Sequence, residues 1–176
     1  MPISEYLSQL RKKVGSDLIL IPSVTILVFD EEERVLLVRH SEGGLWVAPG
    51  GSIEPYERPA DAAAREMWEE TGLWIEPRRI LGVYGGPEFH WAYRNGDQVG
   101  YVMTVFEGRV VGGELARDEE EVLEAGYFSE GEAERLPKAE WLKIVLADAF
   151  KQRNAFKNKG EASFQGPTRE ASDPGS

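Results

Sequence analysis

Three carboxylates in the stretch from residue 51 to residue 73 have a spacing with clear chemical meaning. Glu66, Glu69 and Glu70 stand at positions i, i+3 and i+4, which share one face of a helix. Like charges at this spacing weaken a helix by roughly 0.2–0.5 kcal/mol per pair. Gly72 is typical of a residue just beyond a helix C-terminus, where nearby carboxylates also oppose the helix dipole. A bound cation would compensate this arrangement, and clustered carboxylate oxygens suit Mg²⁺ or Mn²⁺.

The same stretch resembles the Nudix box, whose pattern is G-x5-E-x7-R-E-U-x-E-E-x-G-U, with U an apolar residue. Every position of the pattern is matched, by Gly51, Glu57, Arg65, Glu66, Met67, Glu69, Glu70, Gly72 and Leu73. A solvated acidic helix face is the alternative, but it does not explain the loop glycine or the two apolar positions. The resemblance covers roughly residues 18–150 and implies an α/β protein with the Nudix fold. That fold is an α/β/α sandwich with a mixed β-sheet.

The resemblance also implies how the box residues act in metal-dependent hydrolysis of a diphosphate. The three helical carboxylates would hold one or more Mg²⁺ or Mn²⁺ ions, and the backbone carbonyl of Gly50 would add a ligand. The metals would neutralise the substrate diphosphate and act as Lewis acids at phosphorus. Arg65 would orient Glu57 and Glu69 through bidentate hydrogen bonds. The alternative for Arg65 is a surface salt bridge.

A further catalytic acid outside the box is expected from the same resemblance. The run Asp118–Glu121 precedes a predicted strand, and Glu121 lies six residues before Tyr127, a placement similar to that of the family's extra acid. Glu121 or Glu120 would then be the general base or an additional metal ligand. A solvated charge run is the more usual meaning of such a stretch. Glu57 and Glu88 are the next candidates for the base.

Substrate contacts are assigned to Arg39, Trp46 and Phe89. Trp46 precedes the glycine loop, where it would line a nucleotide pocket or pack in the core. Phe89 lies in the aromatic loop Pro87–Trp91, which would stack on a base or pack beneath the sheet. A catalytic role for His40 is less expected than a structural one.

Composition narrows the class of protein. The chain has 176 residues, of which 41% are apolar, enough for the core of one domain. A net charge of −11 argues against sequence-independent binding to nucleic acid or to an acidic membrane. The absence of cysteine excludes disulfides and thiol chemistry, and no stretch is apolar enough to cross a bilayer. We therefore expect a soluble, cytoplasmic protein with a small nucleotide as its partner. The resemblance also implies a homodimer, with Trp68 at the contact.

Three segments are predicted: an N-terminal helical extension over residues 1–17, a Nudix hydrolase domain over residues 18–153, and a disordered C-terminal tail over residues 154–176. The tail lacks the apolar content needed to fold. The predicted strands are Leu18–Phe29, Arg34–Arg39, Leu45–Ala48, Ile80–Tyr84, Gly100–Phe106 and Val122–Phe128. The predicted helices are Ser4–Gly15, Pro59–Thr71, Glu130–Leu136 and Lys138–Phe150.

Three functions are compatible with these residues. The first is hydrolysis of a nucleoside diphosphate derivative such as ADP-ribose or another nucleotide sugar. Pro87, fifteen residues after Gly72, is close to the proline spacing of ADP-ribose-type members. The second is a nucleoside triphosphate pyrophosphohydrolase that cleanses the nucleotide pool. The third is a non-catalytic nucleotide sensor, which the intact set of carboxylates disfavours.

Overall fold

The computed structural model describes residues 4–41, 43–116 and 122–162, with side chains up to residue 156. Its elements are, in order, α1 (Glu5–Val14), β1 (Ile19–Val28), β2 (Val35–His40), β3 (Trp46–Val47), β4 (Gly50–Ser52), α2 (Pro59–Thr71), β5 (Leu73–Tyr84), β6 (His90–Ala92), β7 (Gln98–Gly113), β8 (Val122–Phe128), α3 (Glu130–Arg135) and α4 (Glu140–Ala162). A 3₁₀ turn, Pro87–Phe89, lies between β5 and β6. None of the helices in these ranges is both long and apolar enough to span a bilayer.

Two sheets organise the described part of the chain. The larger sheet is mixed and has the order β4-β1-β7-β5, with the short strand β6 also paired to β7. Strands β1 and β7 run parallel, while the other pairs in this sheet are antiparallel. The smaller sheet is antiparallel, with the order β3-β2-β8. The predicted α/β fold with a mixed sheet is confirmed.

The larger sheet has a hydrophobic cluster on each face. On one face, Val24 and Ile26 of β1 pack with Met67 of α2. On the other face, Leu27 of the same strand packs with Leu142 and other apolar residues of α4 and the smaller sheet. Alternate residues of a strand point to opposite faces, so β1 contributes to both clusters. The result is the predicted sandwich, with α2 and α4 on opposite sides of the larger sheet.

Helix α2 has the predicted bounds, and local signals explain both ends. Pro59 occupies the first turn, where its missing N–H costs no hydrogen bond. Gly72 adopts a left-handed conformation with φ 69° and donates its N–H to the Trp68 carbonyl at 2.8 Å. Ala62 and Ala63 are fully buried, and their small side chains let the helix lie close to the sheet. Strand β5 begins at the next residue, Leu73, which fixes the C-terminal end of the helix against the sheet edge.

Several elements are longer than predicted. Strand β5 begins at Leu73 rather than at Ile80, although it contains Pro77. Within the described sheet β5 is an edge strand, and an edge tolerates a proline that cannot donate to a neighbour. Helix α4 continues past the predicted boundary at residue 154 to Ala162. The remaining part of the predicted tail, residues 163–176, lies outside the described residues.

A charged network holds α4 to the larger sheet. Glu107 of β7 accepts hydrogen bonds from Arg79 of β5, at 2.7 Å, and from Arg153 of α4. Arg153 also donates to Glu33 at 2.6 Å, and its guanidinium lies 4.1 Å from the ring centroid of Phe29. Arg153 therefore continues the packed face of α4 beyond its apolar residues. This contact explains why the helix does not end where the apolar pattern does.

Replacing Glu107 with glutamine should destabilise the protein by about 1–3 kcal/mol, because two partly buried guanidinium groups lose their shared counter-charge. The free energy of unfolding from urea titrations measures the effect. Lys143→Gln is the matched control, since it removes only an exposed ion pair with Glu140 on α4. That control should change stability by less than about 0.5 kcal/mol. Equal effects for the two variants would show that the network is not structural.

Candidate active site

The three box carboxylates differ sharply in exposure. Glu66 and Glu70 are each 1% exposed and lie in the packed face of α2, whereas the Glu69 side chain is 54% exposed. Helix α2 therefore presents one solvated carboxylate next to two that are buried.

Arg65 joins this cluster to the preceding loop. Its Nε and Nη2 donate to the two oxygens of Glu57 at 2.8 and 3.0 Å. Its Nη1 donates to Glu66 Oε1 at 2.8 Å and to Glu69 Oε2 at 3.0 Å, and Nη2 also donates to the Ser52 carbonyl at 3.1 Å. The pairing with Glu57 is bidentate, whereas Glu66 and Glu69 each give Arg65 one oxygen. The second oxygen of Glu66 and of Glu69 thus remains available to a cation.

The electrostatic environment separates the carboxylates. The Arg65 guanidinium holds the pKa of Glu57 below its ordinary value, and the Glu54 backbone N–H adds to this effect. Burial raises the pKa of Glu66 to about 7, although Arg65 opposes the shift, and the charges of Glu70 and Glu69 raise it further. Glu57 is therefore a poor proton acceptor. The charge of Glu66 is only partly balanced by Arg65, so a second cation would stabilise its ionised form.

Two glycines of β4 allow close packing, one against a carboxylate and the other against β1. A Cβ atom on Gly51 would lie 2.4 Å from Glu66 Oε1, so the carboxylate rests directly against a bare backbone. Gly50 pairs with Thr25 in the larger sheet, with φ 159°, and a Cβ there would lie 2.3 Å from the Val24 carbonyl oxygen. Any side chain at either position would collide. The assignment of the Gly50 carbonyl as a metal ligand stays a prediction.

The donor set fits a hard divalent cation. Glu66 Oε2 is buried and has no hydrogen-bond partner among the described residues. A buried carboxylate oxygen without a donor is costly, and an ion such as Mg²⁺ or Mn²⁺ would satisfy it. Over the same residues, no three acidic or imidazole side chains are already drawn together as a closed metal cage. Glu69, which Arg65 holds at the surface, would have to turn its second oxygen towards the ion.

The imidazole of His40 faces the same cluster from the smaller sheet. Its Nε2 lies 3.6 Å from Glu70 Oε1. His40 is the last residue of β2 and pairs with Val122, the first residue of β8. Glu120 and Glu121, the predicted extra acids, lie outside the described residues, but Val122 is the covalent neighbour of Glu121. Val122, the first described residue after the acidic run, thus pairs with a residue that contacts Glu70.

The three predicted substrate contacts are all engaged with other parts of the protein. Trp46 is 7% exposed and packs edge-on against Phe128, with ring centroids 4.7 Å apart. Phe89 is 4% exposed and lies in the cluster beneath the sheet. Arg39 Nη2 donates to Glu124 of β8 at 2.6 Å. Both aromatic residues therefore pack in the core, which was the alternative interpretation for each. Their burial leaves the ring faces little access to a ligand.

A cavity of about 360 Å³ lies beside these residues. Its walls are Leu45, Pro87, Glu88, His90, Trp91, Lys138, Ala139, Glu140 and Trp141. The sequence indicates the aromatic loop Pro87–Trp91 as a candidate binding element. It does not indicate that Lys138 and Trp141 line the same cavity. The only local signal was a tryptophan next to charged residues at the start of a helix. Only the fold brings that helix start to the loop.

Comparison with known proteins shows the family to which the chain belongs. A family model described as NUDIX domain matches residues 20–149, which is more than half of the chain. The chain therefore belongs to the NUDIX family. A solved structure, "NUDIX hydrolase from Nitrosomonas europaea", is similar with a TM-score of 0.62 and 25% identity, over 76% of this chain and 90% of that one.

Two curated relatives carry enzymatic names. "Putative 8-oxo-dGTP diphosphatase" from Bacillus subtilis (strain 168) is 32% identical over 133 residues, which are 76% of this chain and 77% of the relative. "Diphosphoinositol polyphosphate phosphohydrolase 2" from Rattus norvegicus is 33% identical over 123 residues, which are 69% of this chain and 55% of the relative. The chain thus spans about half the length of the rat protein. With the family match, these names support a Nudix hydrolase rather than a non-catalytic sensor.

Glu66→Gln should stabilise the metal-free protein. Because the folded-state pKa is about 7 against an ordinary 4.5, the unfolded chain loses this proton first as pH rises. The cost of burying the charge therefore grows between about pH 4.5 and 7 and is complete above pH 7. At pH 8 the variant should gain about 1–3 kcal/mol, and below pH 4.5 the gain should vanish.

Melting temperatures with a chelator at pH 8 and pH 4 measure this difference. Glu69→Gln is the control, because its exposed carboxylate carries no burial cost, and it should shift stability by less than about 0.5 kcal/mol. Excess Mg²⁺ should protect the wild type more than Glu66→Gln. A variant that melts like the wild type at both pH values would contradict the buried-charge assignment.

Proposed function

We propose that this Nudix hydrolase cleaves the diphosphate linkage of a nucleoside diphosphate derivative, such as ADP-ribose or another nucleotide sugar, and requires Mg²⁺ or Mn²⁺. The observation that carries the proposal is the Glu66 carboxylate, which is buried beside Glu70 and Glu69 with an oxygen that no described residue hydrogen-bonds. Such a cluster is unfavourable in the metal-free protein. It becomes favourable when a divalent cation and a diphosphate occupy the site together.

The residues of α2 would hold the cation, and Arg65 would hold those residues in place. When bound, Mg²⁺ or Mn²⁺ supplies Lewis acidity at phosphorus and neutralises the charge of the diphosphate. Glu66 and Glu69 would each offer the oxygen that Arg65 does not use, and Glu70 would complete the carboxylate set. Arg65 already donates to three carboxylates, so its role is orientation rather than substrate binding. Phosphoryl-type transfer asks a protein mainly for charge and positioning.

Glu121 is the proposed general base. It would accept a proton from the attacking water as the new bond to phosphorus forms. Support comes from its covalent neighbour Val122, which pairs with His40 next to Glu70. Glu57, the alternative, has both oxygens bound to Arg65 and a lowered pKa. Glu88 lines the cavity rather than contacting the carboxylate cluster.

The aromatic cavity is the proposed site for the nucleobase. Trp91 is 45% exposed, so its ring is accessible for stacking. Trp141, at the start of α4, also lines the cavity. Lys138 also lines the cavity, but its ammonium donates to the carbonyls of Ala133 and Glu134 at 2.8 and 2.7 Å. The cavity therefore offers aromatic faces rather than free positive charge, which suits a base better than a phosphate.

The cavity and the carboxylates are separated by a short stretch of chain. Leu45 lines the cavity, and Gly51, six residues later, contacts Glu66. Six residues of chain span at most roughly 20 Å. A base in the cavity could therefore place its diphosphate at the carboxylates.

A nucleoside triphosphate is the second candidate substrate. It is favoured by the Bacillus subtilis relative, whose name includes 8-oxo-dGTP. The two candidates differ in their products. A nucleotide sugar yields two monophosphates, whereas a triphosphate can yield a monophosphate and pyrophosphate. The same site would serve both, because both substrates present a diphosphate to the metals.

Purified protein should hydrolyse at least one compound in a panel of nucleotide sugars and nucleoside triphosphates, and only with Mg²⁺ or Mn²⁺. Phosphate release with phosphatase, and with pyrophosphatase, distinguishes the products. Glu69→Gln and Glu70→Gln should each lower turnover by at least about 100-fold at saturating Mg²⁺, because each loses a ligand charge. Glu31→Gln, in an exposed turn, makes the same chemical change away from the site and should be silent. Activity of the two helix variants within threefold of wild type would refute the ligand assignment.

The general base can be identified by comparing three neighbouring variants, Glu119→Gln, Glu120→Gln and Glu121→Gln. Glu121→Gln should lower kcat by roughly 10²–10⁴, because the attacking water loses its proton acceptor. Substrate binding should change much less, since α2 still holds the metal. The other two variants should be nearly silent. Three mild effects would place the base elsewhere, and a severe loss in Glu120→Gln alone would reassign it by one residue.

A further inference from the structure

The end of strand β2 is irregular where it reaches the carboxylate cluster. Arg39 pairs with Glu124 of β8, but the next residue, His40, pairs with Val122, so the register shifts by one residue between them. An irregularity of this kind re-aims a side chain at the end of a strand. Here it coincides with the residue whose imidazole lies 3.6 Å from Glu70 Oε1.

Glu70 and His40 are close together in a largely buried environment. Glu70 is 1% exposed, and the His40 side chain is 28% exposed. The carboxylates that form ion pairs with Arg65 are Glu57, Glu66 and Glu69. A buried carboxylate needs donors or a cation to offset the loss of hydration. The imidazole approaches Glu70 from the smaller sheet, where Arg65 does not reach.

We propose that His40 is a positioning residue that donates its Nε2–H to Glu70 and fixes which carboxylate oxygen faces the metal. The hydrogen bond forms from the observed contact by a small rotation of either side chain, since 3.6 Å is just beyond hydrogen-bond distance. The inference rests on the proposed metal-dependent function. It gives Glu70 an orienting partner on the sheet, as Arg65 is the orienting partner of Glu66 and Glu69.

Outer partners of ligating carboxylates act on metal affinity or on activity. Loss of such a partner typically weakens metal binding by about 10–100-fold. His40 does not touch the diphosphate in this arrangement. Its removal should therefore raise the Mg²⁺ concentration needed for half-maximal activity and change kcat at saturating Mg²⁺ by less than about threefold. A side chain that only packed against Glu70 would not produce this split.

Three variants of the full chain test the role through Mn²⁺ binding without substrate, with free Mn²⁺ measured by electron paramagnetic resonance. His40→Gln places an amide N–H near the position of Nε2 and should bind Mn²⁺ within about threefold of wild type. His40→Asn keeps an amide but falls short of Glu70, and His40→Leu has no donor. Both should bind about 10–100-fold more weakly. Circular dichroism confirms folding, and the Asn and Gln variants decide the question if the Leu variant misfolds.

The outcomes separate this inference from the proposed function. Equal Mn²⁺ binding by wild type, His40→Asn and His40→Gln would overturn the positioning role and leave metal-dependent hydrolysis intact. Equal weakening in the Gln and Asn variants would show that shape, and not the donated hydrogen bond, matters. A wild-type protein that binds no Mn²⁺ would overturn both the metal site and the role of His40.

Discussion

The guanidinium of Arg65 makes the rest of the site possible. It donates to Glu57, Glu66 and Glu69 and to the Ser52 carbonyl, so one side chain joins the loop before α2 to the helix itself. Without it, three like charges would share little more than one helical turn. The guanidinium offsets only part of the cost of these charges, because burial, with the charges of Glu70 and Glu69, still raises the pKa of Glu66 to about 7. The negative charge that Arg65 leaves uncompensated favours the binding of a cation.

The fold supplies the rigidity that this arrangement needs. Helix α2 lies against the larger sheet through alanines, and β5 begins directly after its C-terminal glycine. On the other side, Gly51 belongs to β4, which pairs with β1 in the same sheet. The Glu66 carboxylate thus lies between helix α2, which packs on the larger sheet, and strand β4, which belongs to it. A site built on such elements keeps its geometry better than one on a free loop.

Much of the architecture could be predicted from the sequence, and the failures have physical causes. Local signals sufficed for α2, because Pro59 and Gly72 define its ends. They do not indicate the burial of Glu66, because helical spacing does not specify exposure and it is the approach of Gly51 that encloses this carboxylate. They failed for the start of β5, because tolerance of Pro77 depends on the strand being at an edge. They also missed Trp141, which reaches the cavity only through long-range packing.

The distribution of charge decides which part of a substrate goes where. The chain carries a net charge of −11, so an anionic diphosphate is repelled at long range. Arg65 and Lys138, which adjoin the two proposed binding regions, do not relieve this, because Arg65 is engaged with carboxylates and Lys138 with carbonyls of α3. In the proposed function, positive charge for the diphosphate would come from ions that the carboxylates recruit. The same acids that repel the substrate in the metal-free protein would then attract it in the loaded one, which links substrate binding to prior binding of metal.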